Sequence, residues 1–175
     1  MLRKVGNLTS GCGNAEWPAS VMIEPMQKGD VAAVRKLDHL SFPSSWSAES
    51  YLRDLRNCSS FYIVARLDGE VIGYGGMWLI VDEAHISTLA VHPDRRRCGL
   101  GQRLLTHLIA VARDRGAAEI TLEVREANIA ARGLYEKSGF ISKGFIPNYY
   151  GDTGENAIVM SLGRGEAEPV EEWPE

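Results

Sequence analysis

The sequence has few cysteines and no close grouping of metal ligands. Its three cysteines, Cys12, Cys58 and Cys98, are widely spaced and form no C-x-x-C pair. An odd number at such spacing argues against a disulfide framework or a zinc site, and it is typical of a protein of the reducing cytoplasm. The four histidines show no H-E-x-x-H spacing, so we expect no bound metal.

Long hydrophobic runs are also missing. The longer apolar stretches, such as Val71 to Val81, are interrupted by glycines, and none reaches the roughly 20 residues of a membrane-spanning helix. Arg3 and Lys4 are followed by polar residues and glycine instead of an apolar block, so no secretory signal is expected. We therefore expect no membrane partner.

The chain has no excess of positive charge. Its net charge is −4, and the segment from Gly163 to Glu175 alone contains five glutamates and one arginine. The rest of the chain is therefore electrically balanced, which leaves no driving force for non-specific binding of nucleic acid. This acidic segment, 163–175, is expected to be a disordered, solubilising tail, although it could also attract a basic protein.

What is present suits one soluble globular domain. The chain has 175 residues, of which 45% are hydrophobic and 24% are charged, which is an ordinary globular composition. Residues 1–20 are rich in Gly, Ser and Asn without periodicity and are expected to form a flexible extension. The domain is therefore predicted to span residues 21–162.

Hydrophobic periodicity and turn residues predict eleven elements in the order β-α-α-β-β-β-α-β-α-β-β. Asp30, Ser47 and Asn128 are predicted helix N-caps, and Asp68-Gly69 is a predicted hairpin turn. The predicted elements are strands at 21–26, 61–67, 71–81, 84–91, 119–125, 140–145 and 157–162, and helices at 31–41, 48–57, 101–115 and 129–138. Hairpins combined with crossover helices indicate an α/β (α+β) fold in which helices cover a mixed sheet.

The most informative segment runs from Leu89 to Gly101 and reads L-A-V-H-P-D-R-R-R-C-G-L-G. A strand ends, a basic turn with glycine follows, and a helix begins, so the unpaired amides at the helix N-terminus can bind an anion. The arginine run alone would favour a solvated surface turn. A Rossmann site is undercut because Leu104 stands at the position of the third glycine, and no G-K-[ST] of a P-loop follows.

Within this segment, Arg96-x-x-Gly99-x-Gly101 after a strand that ends in Val-x-Pro resembles the R/Q-x-x-G-x-G/A signature of the GNAT acyltransferases. That resemblance implies the GNAT fold, with a mixed, mostly antiparallel sheet of about six to seven strands flanked by about four helices. It also implies acetyl-CoA as co-substrate. The pantetheine arm would contact the strand edge at Leu89, Ala90 and Val91. The residues implied around the pyrophosphate are Arg96, Arg97, Cys98, Gly99, Leu100, Gly101 and Gln102.

A second segment narrows the resemblance. L-E-V-R-E-A-N at 122–128, followed by L-Y-E-K-S-G-F at 134–140, resembles the corresponding run of the RimI group, which acetylates the N-terminal alanine of a ribosomal protein. By that resemblance Glu123 accepts a proton, Asn128 contacts coenzyme A and Tyr135 donates a proton. The chemistry needs these groups, because an amine attacks a thioester only when unprotonated and the departing thiolate gains from protonation. A backbone N–H near Val91 is the expected oxyanion donor.

Each of these residues also has an ordinary structural explanation. Glu123 could be an exposed strand carboxylate, Tyr135 a core residue and Asn128 a helix N-cap. Together, at family spacing and beside the predicted phosphate loop, they favour function, and the assignment of Glu123 depends on the narrower RimI match.

The acceptor is expected to meet aromatic side chains. Phe42 to Ser47 resembles the F-P-W-S element of the RimI group with two serines inserted before Trp46, and Asn148-Tyr149-Tyr150 resembles its N-Y-Y element. Trp46, Tyr149 and Tyr150 are therefore candidate substrate-binding residues, with covering of the core edge as the alternative. The predicted acceptor is the N-terminal α-amine of a protein, alanine of a ribosomal protein first of all, and the protein is expected to be a monomer or weak dimer. A small-molecule amine acceptor, or a non-catalytic acyl-CoA-binding module, remains as an alternative.

Overall fold

The computed structural model of the protein describes residues 21–163. The predicted N-terminal extension (1–20) and all of the predicted acidic tail except Gly163 lie outside the described residues. No helix within the described range is long and apolar enough to cross a membrane.

The described chain forms one seven-stranded sheet with four α-helices. The strands are β1 (Met22–Pro25), β2 (Ser60–Leu67), β3 (Glu70–Ile80), β4 (Glu83–Val91), β5 (Glu119–Arg125), β6 (Ile141–Tyr150) and β7 (Glu155–Leu162). The helices are α1 (Val31–Ser41), α2 (Ala48–Asp54), α3 (Leu100–Asp114) and α4 (Ile129–Lys137).

The sheet is mixed and mostly antiparallel, as predicted. Its spatial order is β1-β2-β3-β4-β5-β7-β6. Every neighbouring pair is antiparallel except β4 and β5, which run parallel. The crossover from β4 to β5 contains α3, because parallel neighbours need a long connection.

The two faces of the sheet carry two separate hydrophobic cores. On one face, α3 packs through Leu104 and Leu108 against β3 and β4 in a cluster that also holds Tyr135 of α4. On the other face, α1 and α2 bury Val34 and Tyr51 in a second cluster. Successive residues of a strand point to opposite faces, so β2 and β3 contribute alternately to both cores.

Three expectations need correction. The last hairpin is longer than predicted, because β6 runs from Ile141 to Tyr150 and thereby includes Tyr149, which lies beyond the predicted strand at 140–145. The second helix ends at Asp54, before the predicted end at residue 57. Asp30 precedes α1 but makes no side-chain cap; its carboxylate accepts the Gln27 N–H at 2.8 Å and pairs with Arg66.

The predicted turn between β2 and β3 is confirmed. Asp68 and Gly69 both have positive φ, at 50° and 85°. Two consecutive residues with positive φ are what a tight type I′ hairpin requires, so this turn fixes the register with which β3 returns along β2.

A close approach between β2 and β3 depends on a missing side chain. A Cβ atom added to Gly76 would lie 2.2 Å from the ring of Tyr62. That ring is buried, and its hydroxyl donates to Asp54 of α2 at 2.9 Å. The ring therefore cannot move away without breaking the contact that joins α2 to the sheet.

We expect Gly76→Ala to lower the free energy of unfolding by about 1–3 kcal/mol, the usual cost of overpacking a core. Chemical denaturation monitored by circular dichroism measures this. Gly133→Ala in α4 is the matched control, because a Cβ there meets nothing within 4 Å and alanine favours a helix. A Gly76→Ala protein as stable as wild type would contradict the packing described.

Candidate functional site

The site begins where two parallel strands separate. Pairing between β4 and β5 is confined to Glu83 with Glu119, Ala84 with Ile120, and His85 with Thr121. Beyond these pairs β4 continues to Val91 beside β3, and β5 continues to Arg125 beside β7. The two strands therefore diverge in the middle of the sheet and leave an opening between them.

A cleft of about 470 Å³ occupies this opening. It is bounded by the diverging strands, the connection between α1 and α2, the start of α4 and the tip of the β6–β7 hairpin. Six of the predicted site residues line it: Trp46, Leu89, Glu123, Asn128, Tyr135 and Tyr150. Residues from every predicted part of the site except the phosphate loop are thus brought together.

The other predicted residues do not line this cleft. Ala90 and Val91 continue β4 beyond Leu89, the predicted phosphate loop follows them, and Tyr149 lies on the exposed strand β6. The side chains of Ala90 and Leu100 are buried at 6% and 1% exposure. These two residues can therefore contact a cofactor only through their backbone.

The free edge of β4 offers backbone groups to a ligand. The His92 N–H donates to the Ile72 carbonyl at 2.9 Å, which places the backbone groups of residue 92 on the β3 side. By the alternation along a strand, those of Leu89 and Val91 face the opening. An extended ligand with amide groups can pair with such an edge as a further strand would.

The predicted phosphate loop has the geometry of an anion site. Gly99 precedes α3 with φ of 82°, a left-handed conformation that glycine adopts without strain. The first helical bond of α3 runs from the Arg103 N–H to the Gly99 carbonyl at 3.1 Å. The amides of Leu100, Gly101 and Gln102 therefore have no acceptor within the helix and carry the positive end of its dipole.

Arginine side chains add positive charge at this loop. Arg96 is fixed, because its Nε donates to the Val91 carbonyl at 3.0 Å and one terminal nitrogen lies 3.4 Å from the Ser41 Oγ. Arg97 is exposed and adopts φ of 64°. Gln102 uses its side-chain amide to donate to the Ser138 Oγ at 2.9 Å, which leaves its backbone N–H for an anion.

Glu123 has a partner that the sequence did not reveal. The His85 Nε2 lies 3.2 Å from the Glu123 Oε2, and the His85 Nδ1 lies 3.1 Å from the Thr121 Oγ1. The Thr121 hydroxyl in turn donates to Glu83 at 3.4 Å. The imidazole of His85 therefore lies between the Thr121 hydroxyl and the Glu123 carboxylate.

Sequence reasoning considered His85 only as a metal ligand and did not assign it to the site. The signal that could have found it is the β4–β5 register, which places His85 opposite Thr121, two residues before Glu123. That register depends on where two distant strands meet, so it could not be obtained from local spacing. Within residues 21–163, no group of three or more His, Cys, Asp or Glu side chains is placed to hold a metal.

Tyr135 lies on α4, where it belongs to the hydrophobic core and also lines the cleft. It is 8% exposed, and its ring packs edge-on against Phe140 at 5.9 Å. Burial, and secondarily the nearby Tyr150, raises the pKa of Tyr135 to about 12. The phenol therefore keeps its proton at neutral pH, as a proton donor must.

Asn128 has the structural role that the sequence offered as its alternative. Its Oδ1 accepts the Ala131 N–H at 3.1 Å and caps α4. The residue also lines the cleft, so the cap fixes the first turn of α4 at the cleft wall. The cap does not exclude a cofactor contact through the side-chain amide nitrogen.

Tyr150 is held at the cleft by charged neighbours. The Arg125 guanidinium lies 3.9 Å from the centre of its ring, and Arg125 also pairs with Asp152 at 2.7 Å and with Glu155 at 3.2 Å. Burial raises the pKa of Tyr150 to about 12 despite the opposing charge of Arg125. Tyr149 is more exposed, and burial of part of its ring, followed by the charge of Glu123, raises its pKa. The charge of Glu123 also contributes to the raised pKa of Tyr150. Both tyrosines therefore lie within electrostatic range of Glu123.

Trp46 stands on the other side of the cleft at the start of an aromatic row. Its ring stacks with Trp78 at 6.3 Å, and Trp78 packs against the imidazole of His85 at 5.9 Å. The row therefore runs from the α1–α2 connection to the partner of Glu123. Trp78 is a second residue that sequence reasoning did not place near the site.

Comparisons with known proteins agree with this geometry. The acetyltransferase (GNAT) family matches residues 31–140. The chain is 34% identical over 144 residues to the ribosomal protein bS18-alanine N-acetyltransferase of Escherichia coli strain K12, which covers 80% of this chain and 95% of the relative. It is 31% identical over 145 residues to an N-alpha-acetyltransferase of Sulfurisphaera tokodaii, covering 75% of this chain and 86% of the relative.

The same relationship is seen in a solved structure. The crystal structure of the ribosomal-protein-S18-alanine N-acetyltransferase from Escherichia coli superposes with a TM-score of 0.76 at 30% identity, covering 87% of this chain and 99% of that chain. The predicted fold and the predicted family are thereby confirmed. The chain belongs to the acetyltransferase (GNAT) family and is an acetyl-CoA-dependent N-acetyltransferase.

Proposed function

We propose that the protein acetylates the N-terminal α-amine of a protein chain, with alanine as first residue and a ribosomal protein as acceptor. The Escherichia coli relative that covers most of this chain is named for that reaction. The observation that carries the proposal is the placement of Glu123 and Tyr135 in one cleft beside the free edge of β4. A proton acceptor and a proton donor there meet the two needs of amine acetylation.

The donor half of the site is the edge of β4 and the loop before α3. Acetyl-CoA, when bound, supplies a thioester carbonyl and a thiolate leaving group. The backbone groups of Leu89 and the second lone pair of the Val91 carbonyl, which also accepts from Arg96, bind the pantetheine amides. The amides of Leu100 to Gln102 with the nearby arginines bind the pyrophosphate. The Val91 N–H then donates to the oxygen of the tetrahedral intermediate.

The acceptor half removes a proton from the substrate. An α-ammonium group has a pKa near 8 and must lose its proton before its nitrogen can attack the carbonyl carbon. Glu123 takes that proton, and the 3.2 Å contact to His85 gives the proton a second place to reside. When the carbon–sulfur bond breaks, Tyr135 protonates the departing sulfur.

Charge at the mouth of the cleft suits a cationic acceptor. Among the described residues that line the cleft, Arg125 is the only cation, and Glu123, Glu155 and the nearby Asp152 are carboxylates, so this side of the cleft is net acidic. The arginines of the phosphate loop lie on the donor side. An N-terminal ammonium followed by basic residues, as in a ribosomal protein, is attracted to the acidic side.

Three further expectations from the sequence stay predictions. They are that the protein is a monomer or weak dimer, that it does not bind nucleic acid, and that it is located in the cytoplasm.

The test follows coenzyme A release with acetyl-CoA and peptides that differ only in the first residue. Alanine-starting and serine-starting basic peptides are compared with N-terminally blocked, lysine-containing peptides and with free polyamines, and mass spectrometry locates the acetyl group. We expect acetylation of the α-amine of the alanine peptide. Turnover only with polyamines would overturn the proposal that the acceptor is a protein N-terminus. Acetyl-CoA binding without turnover on any acceptor would favour a non-catalytic binding module.

Tyr135→Phe is expected to lower kcat by about 10²-fold or more, the usual contribution of a positioned acid, because the sulfur then leaves unprotonated. Acetyl-CoA affinity, measured by calorimetry, should stay within about twofold of wild type, since the ring remains. Tyr62→Phe is the matched control, because Tyr62 is also buried and its hydroxyl donates to Asp54. A loss of kcat in both variants would assign the effect to packing.

Glu123→Gln is expected to lower kcat/KM by about 10²-fold, with the loss greatest at pH values where the acceptor amine is still protonated. Glu119→Gln is the control, because Glu119 lies on the same face of β5 at its far end. The pH profile of kcat/KM is measured for both variants and for His85→Gln. Unchanged rates in Glu123→Gln at every pH would show that another group accepts the proton.

A further inference from the structure

A buried carboxylate, that of Asp38, lines the acceptor side of the cleft, and the mechanism above does not use it. Asp38, in the last part of α1, is 3% exposed. Burying a carboxylate is costly unless hydrogen bonds compensate. The partners that compensate for Asp38 therefore indicate what the fold uses it for.

One partner of the carboxylate is the far end of the segment that follows α1. The segment 42–46, here called the acceptor wall, connects α1 to α2, and Phe42, Pro43, Ser44 and Trp46 of it line the cleft. The Asp38 carbonyl accepts the Phe42 N–H at 2.9 Å, and its Oδ2 accepts the Trp46 N–H at 2.9 Å. The wall thus begins at the last backbone bond of α1, and the Asp38 side chain holds its far end, in a segment without regular secondary structure.

The second carboxylate oxygen ties this wall to the sheet. Oδ1 accepts the hydroxyl of Tyr74 on β3. The same hydroxyl lies 3.1 Å from the Tyr51 hydroxyl of α2 and accepts from the Thr88 Oγ1 of β4 at 3.2 Å. Burial, followed by Tyr51 and Asp38, raises the pKa of Tyr74, so Tyr74 remains a donor. The charge of Arg35, one turn before Asp38, acts on the same group of side chains.

The position of Trp46 matters beyond the wall. Its ring begins the aromatic row through Trp78 to His85, and His85 contacts Glu123. The donor half of the site consists of the edge of β4, the loop before α3 and α3 itself, and the Asp38 carboxylate reaches β4 only indirectly, through the Tyr74 and Thr88 hydroxyls. A change at Asp38 should therefore alter the KM of the acceptor peptide and leave the affinity for acetyl-CoA largely unchanged.

We propose that Asp38 is a positioning residue for the acceptor, which holds the acceptor wall, and through it Trp46, against the cleft. This inference rests on the proposed function, because it assigns the wall to the acceptor half of that site. The carboxylate acts through Trp46 and takes no part in the chemical step.

The test measures peptide KM, kcat and acetyl-CoA affinity in Asp38→Ala. Removal of the acceptor of the Trp46 N–H is expected to raise the KM of the peptide by about tenfold or more while acetyl-CoA affinity stays within about twofold. Asp38→Asn is expected to restore most of the KM, because its amide oxygen can accept from Trp46 and the Tyr74 hydroxyl can turn to accept from its NH₂. If Asp38→Ala does not fold, Asp38→Leu is measured instead, because the leucine side chain fills the space that alanine would leave empty.

Tyr74→Phe is the matched control. It removes the hydroxyl that bonds Asp38 but leaves the bond from Oδ2 to the Trp46 N–H, so it should lower stability without raising KM. A merely structural role of Asp38 predicts instead that KM rises in both variants in proportion to lost stability. That result, or an equal loss of acetyl-CoA affinity in Asp38→Ala, would falsify the proposal.

A double-mutant cycle tests the route through Trp46. If Asp38 acts by placing this ring, Asp38→Ala should raise KM no further in a Trp46→Ala background. Effects that multiply in the double variant would show that Asp38 does not act through Trp46.

One readout does not depend on the acceptor. The indole N–H resonances of Trp46 and Trp78, assigned with Trp46→Phe, should shift in Asp38→Ala and stay in place in Tyr74→Phe. Shifted resonances with no peptide turnover in the wild type would overturn the proposed function, while showing that Asp38 still holds the wall. Normal peptide turnover with unshifted resonances would overturn the role of Asp38 alone.

Discussion

The functional architecture depends on one constraint, the divergence of β4 and β5 after their short parallel pairing. In a regular sheet the backbone groups of Leu89 and Val91 would be used by the neighbouring strand. Because β5 turns away to pair with β7 instead, no strand pairs with those groups at the centre of the molecule, and the Val91 carbonyl accepts from the Arg96 side chain. The same divergence opens the space in which Glu123, at the far side of the opening, can reach a substrate.

Two faces of the sheet then support two halves of the site. The core beneath α3 and α4 fixes the loop before α3, which carries the anion site, and it also fixes Tyr135 at the cleft. The core beneath α1 and α2 fixes the acceptor wall and Trp46. The cleft lies in the plane of the sheet, so Leu89 on β4 and Glu123 on β5 are held by strand pairing with β3 and β7 as well as by packing.

Several site residues have a structural role and a chemical position at once. Asn128 caps α4 and lines the cleft, and Arg96 bonds the end of β4 while adding charge to the anion site. Leu100 fills the core, yet its amide belongs to the open first turn of α3. An explanation in terms of packing or capping therefore does not argue against function here, because the structural contact is what places the functional group.

The sequence by itself determined the elements, the local motifs and the family. The alternation in β5, the apolar stripe of α3, the Asp68-Gly69 turn and the glycine-containing loop before α3 are set by neighbouring residues, which is why they could be predicted and were found. Tertiary structure alone decided the pairing of His85 with Glu123, the extension of β6 through Tyr149, and the burial of Asp38 beneath the acceptor wall. Each of these depends on residues far apart in the chain, whose meeting is set by strand register and helix packing instead of local spacing.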